Sequence, residues 1–137
     1  MASSEESGRG RSEGRCVLEL QIATRRVGEV TVLDVSGELD LYTVPRLDEG
    51  LRGATGTPRP RLVVNLTAVA YVDSTALKVL TDHQKRVRDQ GGEIVLVANQ
   101  PTIIKIFKIT GLDEVLPTVA TEGEAIEKMR AIPPPQP

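Results

Sequence analysis

Two short runs, Leu62-Val63-Val64-Asn65-Leu66 and Ile94-Val95-Leu96-Val97-Ala98, constrain the fold most. Each is nearly all apolar and rich in β-branched residues, the composition of a strand buried on both faces. Between them Leu77, Leu80, Gln84 and Val87 recur at helical spacing, with Ala76 and Val79 beside the stripe. Lys78, Asp82, Lys85, Arg86 and Asp89 fall on the face turned to water, and Gly91-Gly92 stops the helix. Doubly buried strands separated by a helix are the signature of an α/β layer with parallel strands.

The flanking segments extend this unit. Val17 to Ile22 alternates as a half-buried strand, Arg25 to Gly28 reads as a turn, and Val30 to Val35 is a second strand ended by Ser36-Gly37, giving an antiparallel hairpin. A helix follows from about Thr43, its expected N-cap, with Pro45 in the first turn and Val44, Leu47, Leu51 and Ala54 facing the core. Gly53 to Pro60 ends it. Pro101 opens a third helix through Ile103, Ile104, Ile106, Phe107 and Ile109, closed by Gly111. These apolar residues cannot all share one side; full burial is the first reading and a partner patch at Ile106 or Phe107 the second. Val115-Leu116-Pro117 reads as a brief last strand. Thr121 with Glu124 matches a capping box for a final helix burying Ala125, Ile126 and Met129. The expected fold is a single α/β domain over 16–132: a mixed, mostly parallel sheet with an antiparallel N-terminal edge, packed against about four helices. A polar tail over 1–15 is expected to be disordered, and a Pro-rich tail over 133–137 extended.

Composition excludes several function classes. The net charge is -2, with acids and bases interspersed, and the aromatics are only Phe107, Tyr42 and Tyr71. There is neither the basic field nor the stacking surface of a nucleic-acid binder. No apolar run approaches bilayer length and the N-terminus lacks a secretory h-region, so neither a membrane nor secretion is expected. Cys16 is the one cysteine, which fits a reducing, cytoplasmic setting and a small packed side chain.

Val72-Asp73-Ser74-Thr75-Ala76-Leu77 places a carboxylate and two hydroxyls where strand gives way to helix. A helix start carries unpaired N–H groups and the positive end of the dipole, so a phosphate on Ser74 would meet a favourable field. On helix statistics alone Ser74 is simply an N-cap. Thr75 is a second acceptor or, preferably, a first-turn residue shaping the loop. Asp73 is read as a metal ligand, a docking-loop residue or a local turn bond, with loop shaping and a share in recognition preferred. Ser74 does not read as a hydrolase nucleophile, which needs a base and an orienting acid. His83, the one histidine, lies nine residues along the same helix, about 13 Å by helical rise, and is expected at the helix surface. No Gly-rich loop with Gly-Lys-Ser/Thr cradles ATP. Neither cofactor nor metal is expected, and the Asn65-Leu66-Thr67 sequon carries no meaning in a buried strand.

Three segments in this order resemble the STAS domain, in particular the bacterial anti-sigma factor antagonists. They are Ser36-Gly37-Glu38-Leu39-Asp40 followed by Thr43, then Val72 to Leu77, then Gln90-Gly91-Gly92-Glu93 before a buried strand. The match spans about Val30 to Met129. Some members carry Gly where this chain has Ala76, which is also small. The resemblance implies that Ser74 accepts phosphate from a partner serine kinase that is itself the anti-sigma factor. The unmodified protein would bind that kinase and free a sigma factor; phosphorylation would release the kinase, and a phosphatase would reset the cycle. It also implies a partner-facing set of Glu38, Asp40, Thr43, Asp73, Ser74, Thr75 and Lys78. Glu38 and Asp40 read equally as solvated or turn carboxylates. A second reading is a STAS module serving as scaffold or ligand sensor in a stress-signalling or lipid-transport complex, with no switch at Ser74; an enzyme using Ser74 is the weakest.

Overall fold

A computed structural model describes residues 20–131. The elements run β1 (Gln21–Val27), β2 (Val30–Leu39), α1 (Val44–Ala54), β3 (Arg61–Val72), α2 (Ser74–Asp89), β4 (Glu93–Val97), α3 (Pro101–Thr110), α4 (Leu112–Val115), β5 (Thr118–Val119) and α5 (Glu122–Arg130). The five strands lie in chain order, β1-β2-β3-β4-β5. The β1–β2 pair is antiparallel and every later pair parallel, the mixed sheet expected of the α/β pattern.

Side-chain alternation sorts the strands into two cores. Leu33, Val35, Leu62, Val64, Leu66, Ile94 and Leu96 face α1 to α4, meeting Leu47, Leu51, Leu80, Ile103 and Phe107. Val30, Val32, Val63, Val95 and Val97 face the other way and are covered by Ala125 and Met129 of α5. The capping box at Thr121 and Glu124 forms. Arg25 ties α5 down: its Nε donates to Asp34 Oδ2 (2.5 Å) and its Nη atoms reach Asp34 and Glu122, while Asn65 donates to Asp34 Oδ1 (3.0 Å). These bonds hold the Asp34 carboxyl below the usual range, the Arg25 bond foremost.

Several expectations are corrected. The chain does not turn at Arg25. β1 continues to Val27 and the turn is Gly28-Glu29, because Arg25 and Arg26 pair across to Val32 and Thr31 as edge-strand residues. β2 does not stop at Ser36-Gly37. It bulges there, with Gly37 at φ 113, and runs on to Leu39 beside Val72. Thr43 is the N-cap of α1 by position, but its side chain makes no cap bond and ties the preceding loop instead. Val115-Leu116-Pro117 is not a strand. Leu112–Val115 forms one helical turn, giving a fifth helix, and the paired strand starts after Pro117, whose carbonyl accepts from the Leu96 N–H (2.8 Å). Proline has no N–H to offer a ladder. On α3, Ile103 and Phe107 are buried, so Phe107 belongs to the core and not to a partner patch. Ile106 packs half-buried on that core, and Ile109 points outward, 74% exposed. The expected strand start at Val17, Cys16 and both tails lie outside the described residues.

His83 is not at the surface. It is 1% exposed, on the stripe of Ala76, Leu80, Gln84 and Val87, and its Nε2 lies 2.7 Å from Asp48 Oδ1 on α1. That bond is the main reason the Asp48 carboxyl is held below its ordinary value. His83 therefore clasps the two helices that border the loops described next. Gln84 plays a similar part between α2 and β4: its amide exchanges bonds with the Ile94 backbone (3.0 and 3.2 Å) and donates to the Val115 carbonyl (3.1 Å).

A candidate phospho-acceptor and docking face

Parallel strands deliver their C-terminal ends, and the loops that follow, to one edge of the layer. Here β2 and β3 end side by side, with Leu39 opposite Val72 and the Asp73 N–H donating to the Leu39 carbonyl (3.0 Å). The β2–α1 loop and the start of α2 therefore share one surface.

Asp73 organises that surface. It is the N-cap of α2, in extended backbone, and its Oδ1 accepts from the Thr75 N–H (3.0 Å), the Ala76 N–H (3.2 Å) and the Thr75 hydroxyl (2.7 Å). Burial alone would raise its pKa. The Thr75 hydroxyl and the N–H groups of Ala76, Thr75 and Leu41 outweigh that and hold the carboxyl below its ordinary value. The N-cap is thus Asp73 and not Ser74, and two of the helix's spare donors are already taken by a carboxylate.

Ser74, the first residue of α2, is exposed, and its hydroxyl makes no hydrogen bond among the described residues. The neighbouring Thr75 hydroxyl is committed to Asp73. In the facing loop, Asp40 Oδ1 accepts from the N–H groups of Tyr42 (2.9 Å) and Thr43 (3.1 Å), and the Thr43 hydroxyl donates to the Glu38 carbonyl (2.7 Å) while accepting from the Asp40 N–H (3.0 Å). The loop is closed upon itself, and the Leu41 N–H bridges it to Asp73. The structure so gathers Glu38, Asp40, Thr43, Asp73, Ser74 and Thr75 at one edge. Lys78 stands one turn along α2, four residues from Ser74 and so on the same face, and pairs with Asp82 (3.2 Å).

Three side chains at this edge escaped the sequence reading. Leu41, Tyr42 and Tyr71 are 64%, 87% and 49% exposed, and with Ile109 they are the exposed large hydrophobics among the described residues. Tyr71 pairs with Glu38 across the strand ends. The signal was present in Asp40-Leu41-Tyr42-Thr43: two large apolar residues between two turn-closing polar ones have no path to a core.

The STAS domain profile matches residues 21–125. The chain belongs to the STAS family. An anti-sigma-B factor antagonist of Listeria monocytogenes is 32% identical over 107 residues, covering 78% of this chain and 93% of that protein. The crystal structure of an anti-sigma factor antagonist from Mycobacterium paratuberculosis superposes with a TM-score of 0.75 at 28% identity, over 82% of this chain and 95% of that one. The Bacillus protein SpoIIAA in its phosphorylated form shares the fold at a TM-score of 0.60 and 24% identity, over 79% and 98% of the two chains. Among the described residues of this STAS domain, no helix is long and apolar enough to cross a membrane.

The Asp73 cap has a pH signature. Its folded pKa is depressed, so its contribution is present above the unfolded value of about 3.9 and is lost as pH falls through the lower folded value. Asp73→Ala is expected to cost about 1–2 kcal/mol at pH 7, and that deficit should shrink below about pH 4. Urea unfolding of both proteins at each pH reads this; a deficit that stays constant into acid would show that the carboxylate charge plays no part.

Proposed function

We propose that this STAS protein is a cytoplasmic, non-enzymatic anti-sigma factor antagonist switched by phosphorylation at Ser74. The unmodified protein docks on an anti-sigma factor that is also a serine kinase and so frees a sigma factor. Phosphate transfer to Ser74 ends the docking, and a phosphatase restores it. ATP and the catalytic base are supplied by the kinase, and no cofactor or metal is needed on this chain. One STAS domain over about 16–132, flanked by two tails, is the proposed organisation.

The observation that carries this reading is the contrast between neighbouring hydroxyls: Thr75 is held by Asp73, whereas Ser74 is exposed and unbonded. A kinase needs an acceptor that can enter its active site without unfolding the substrate. The family comparison adds the partner class, since the Listeria relative is an anti-sigma-B factor antagonist. The fold also accommodates a phosphorylated state, as the SpoIIAA structure illustrates.

Recognition in this reading divides between charge and apolar anchoring. Asp40, Thr43 and Asp73 set the loop shapes, Glu38 and Lys78 contribute rim charges, and Leu41, Tyr42 and Tyr71 supply contact area. Aromatic anchors carry much of an interface's energy. Tyr42→Ala is expected to weaken partner binding by about tenfold or more and to leave the unfolding midpoint unchanged, because the side chain is 87% exposed. Calorimetric titration beside a thermal melt distinguishes this from a folding defect.

A competition experiment tests the function itself. Unmodified protein added to a preformed anti-sigma–sigma complex should release sigma factor, and the Ser74-phosphorylated protein should not. Release by both forms alike would instead favour a STAS scaffold without a switch.

A further inference from the structure

Ser74, Lys78, Asp82 and Arg86 recur at every fourth position of α2. They form one row along the helix, in which neighbouring Cβ atoms lie about 5–6 Å apart. All four are exposed, so the row faces away from the core. In the unmodified protein the Lys78 ammonium pairs with Asp82 (3.2 Å). Lys78 is the only base among residues 74–81.

We infer that Lys78 is the counterion of phosphorylated Ser74, and that phosphorylation draws its ammonium from Asp82 to the phosphate. The inference rests on the reading of Ser74 as the phospho-acceptor. Order along the helix favours the exchange. An acid four residues before a base makes a stronger pair than the reverse, because each charge then lies toward the helix end that suits it. Lys78 before Asp82 is the weaker order, and phospho-Ser74 before Lys78 is the stronger. Charge acts in the same direction: the phosphate carries about -1.5 to -2 at neutral pH on three acceptor oxygens, against the single charge of a carboxylate. Side-chain direction adds to both. Cα–Cβ bonds in a helix tilt toward its N-terminus, so the stem of Lys78 leans over the turn that holds Ser74.

Little opposes the move. The bond given up joins side chains that are 75% and 48% exposed, and exposed ion pairs are weak. The exchange leaves the docking face anionic. Glu38, Asp40 and Asp73 are the acids gathered at that edge, and α1 brings one base, Arg46, in its first turn. As Lys78 turns to the phosphate it leaves Asp82, so the added negative charge is handed one turn along α2. Asp82 then stands four residues before Arg86, again in the stronger order. The row thus passes from one pair at its middle to two pairs, phospho-Ser74 with Lys78 and Asp82 with Arg86. The phosphorylated surface differs from the unmodified one along the whole row and not at Ser74 alone.

The test uses the full chain with phosphoserine encoded at position 74, so it depends on no kinase. Phosphorus NMR across the second ionisation, near pH 6, reads the phosphate pKa at low salt. A paired ammonium favours the dianion, so Lys78→Gln is expected to raise that pKa by about 0.2 or more. Arg46→Gln and Lys85→Gln remove the same charge from other positions and should change it by less than about 0.1. Asp82→Asn separates exchange from mere proximity. If Lys78 has already left Asp82, this variant too should change the pKa by less than about 0.1. Each variant is expected to melt as its parent does, because the altered side chains are exposed. A pKa indifferent to Lys78→Gln, or one that Arg46→Gln raises as far, would overturn the inference. So would an Asp82→Asn protein whose pKa falls as far as Lys78→Gln raises it, since Lys78 would then have stayed on Asp82. Any of these results alongside kinase phosphorylation of Ser74 would remove the pairing and leave the switch standing.

Discussion

Ser74→Glu, and more strongly phosphorylated Ser74, is expected to weaken the complex with the anti-sigma factor by about a hundredfold or more, while Ser74→Ala binds as the wild type does. The estimate follows from the charges at that edge. A phosphate adds about -1.5 to -2 charges beside Asp73, which already occupies the helix start by accepting from two of its N–H groups. Asp40 stands in the facing loop, and Lys78, one turn along α2, is already paired with Asp82. The added charge is tolerable in water, where the helix dipole offsets part of it. Against a docked protein it is not, because like charges brought together at an interface cost several kcal/mol and each 1.4 kcal/mol is about tenfold in affinity. An electrostatic gate also predicts that raising salt to about 1 M, where the Debye length is about 3 Å, restores part of the lost affinity. Titration calorimetry at two salt concentrations measures both. A Ser74→Glu protein that binds like wild type would remove the gate, and a loss of affinity indifferent to salt would make it steric.

Gly92→Ala is expected to destabilise the domain by about 3 kcal/mol or more. A methyl at that position would lie 2.1 Å from the Pro60 carbonyl oxygen and 2.7 Å from the Pro60 nitrogen. Neither atom belongs to a side chain that can swing away. The same carbonyl accepts the Glu93 N–H (2.9 Å), the bond that seats β4 beside β3. Relief of the clash therefore loosens the strand pairing itself. Gly53→Ala is the matched control. It lies within α1 with nothing within 4 Å of the added methyl, so it should stabilise by about 0.5–1 kcal/mol. Chemical unfolding of both variants checks the contrast; a Gly92→Ala protein within about 1 kcal/mol of wild type would contradict the packing described.

The sheet was legible because β-branched runs such as Leu62 to Leu66 are unambiguous, and the helices because their stripes and stops agree. What stayed hidden depended on partners distant in sequence. β3 runs on past Leu66 because Ala68, Val69 and Tyr71 pair with Ser36, Gly37 and Glu38, and nothing in Thr67-Ala68 announces that. His83 is in register with the buried stripe of α2, yet a histidine on a helix reads as surface until Asp48 of α1 is seen beneath it. Arg25 and Arg26 looked like a turn because their strand is an exposed edge, where charge is compatible with pairing. The candidate site was legible as a motif, Asp73-Ser74-Thr75, but not as chemistry. The sequence does not say which of Asp73 and Ser74 caps the helix, and that assignment leaves one hydroxyl occupied and the next one open. The exposed Leu41 and Tyr42 were passed over because apolar residues are assigned inward by default, although a four-residue loop closed by Asp40 and Thr43 has no inward direction to offer them.

Intact-mass analysis after incubation with ATP and an anti-sigma factor serine kinase tests the central claim most directly, using wild type, Ser74→Ala and Thr75→Ala. The wild type and Thr75→Ala should each gain a single phosphate, and Ser74→Ala none. A phosphate on Ser74→Ala, or its loss from Thr75→Ala with Ser74 intact and the protein folded, would contradict it.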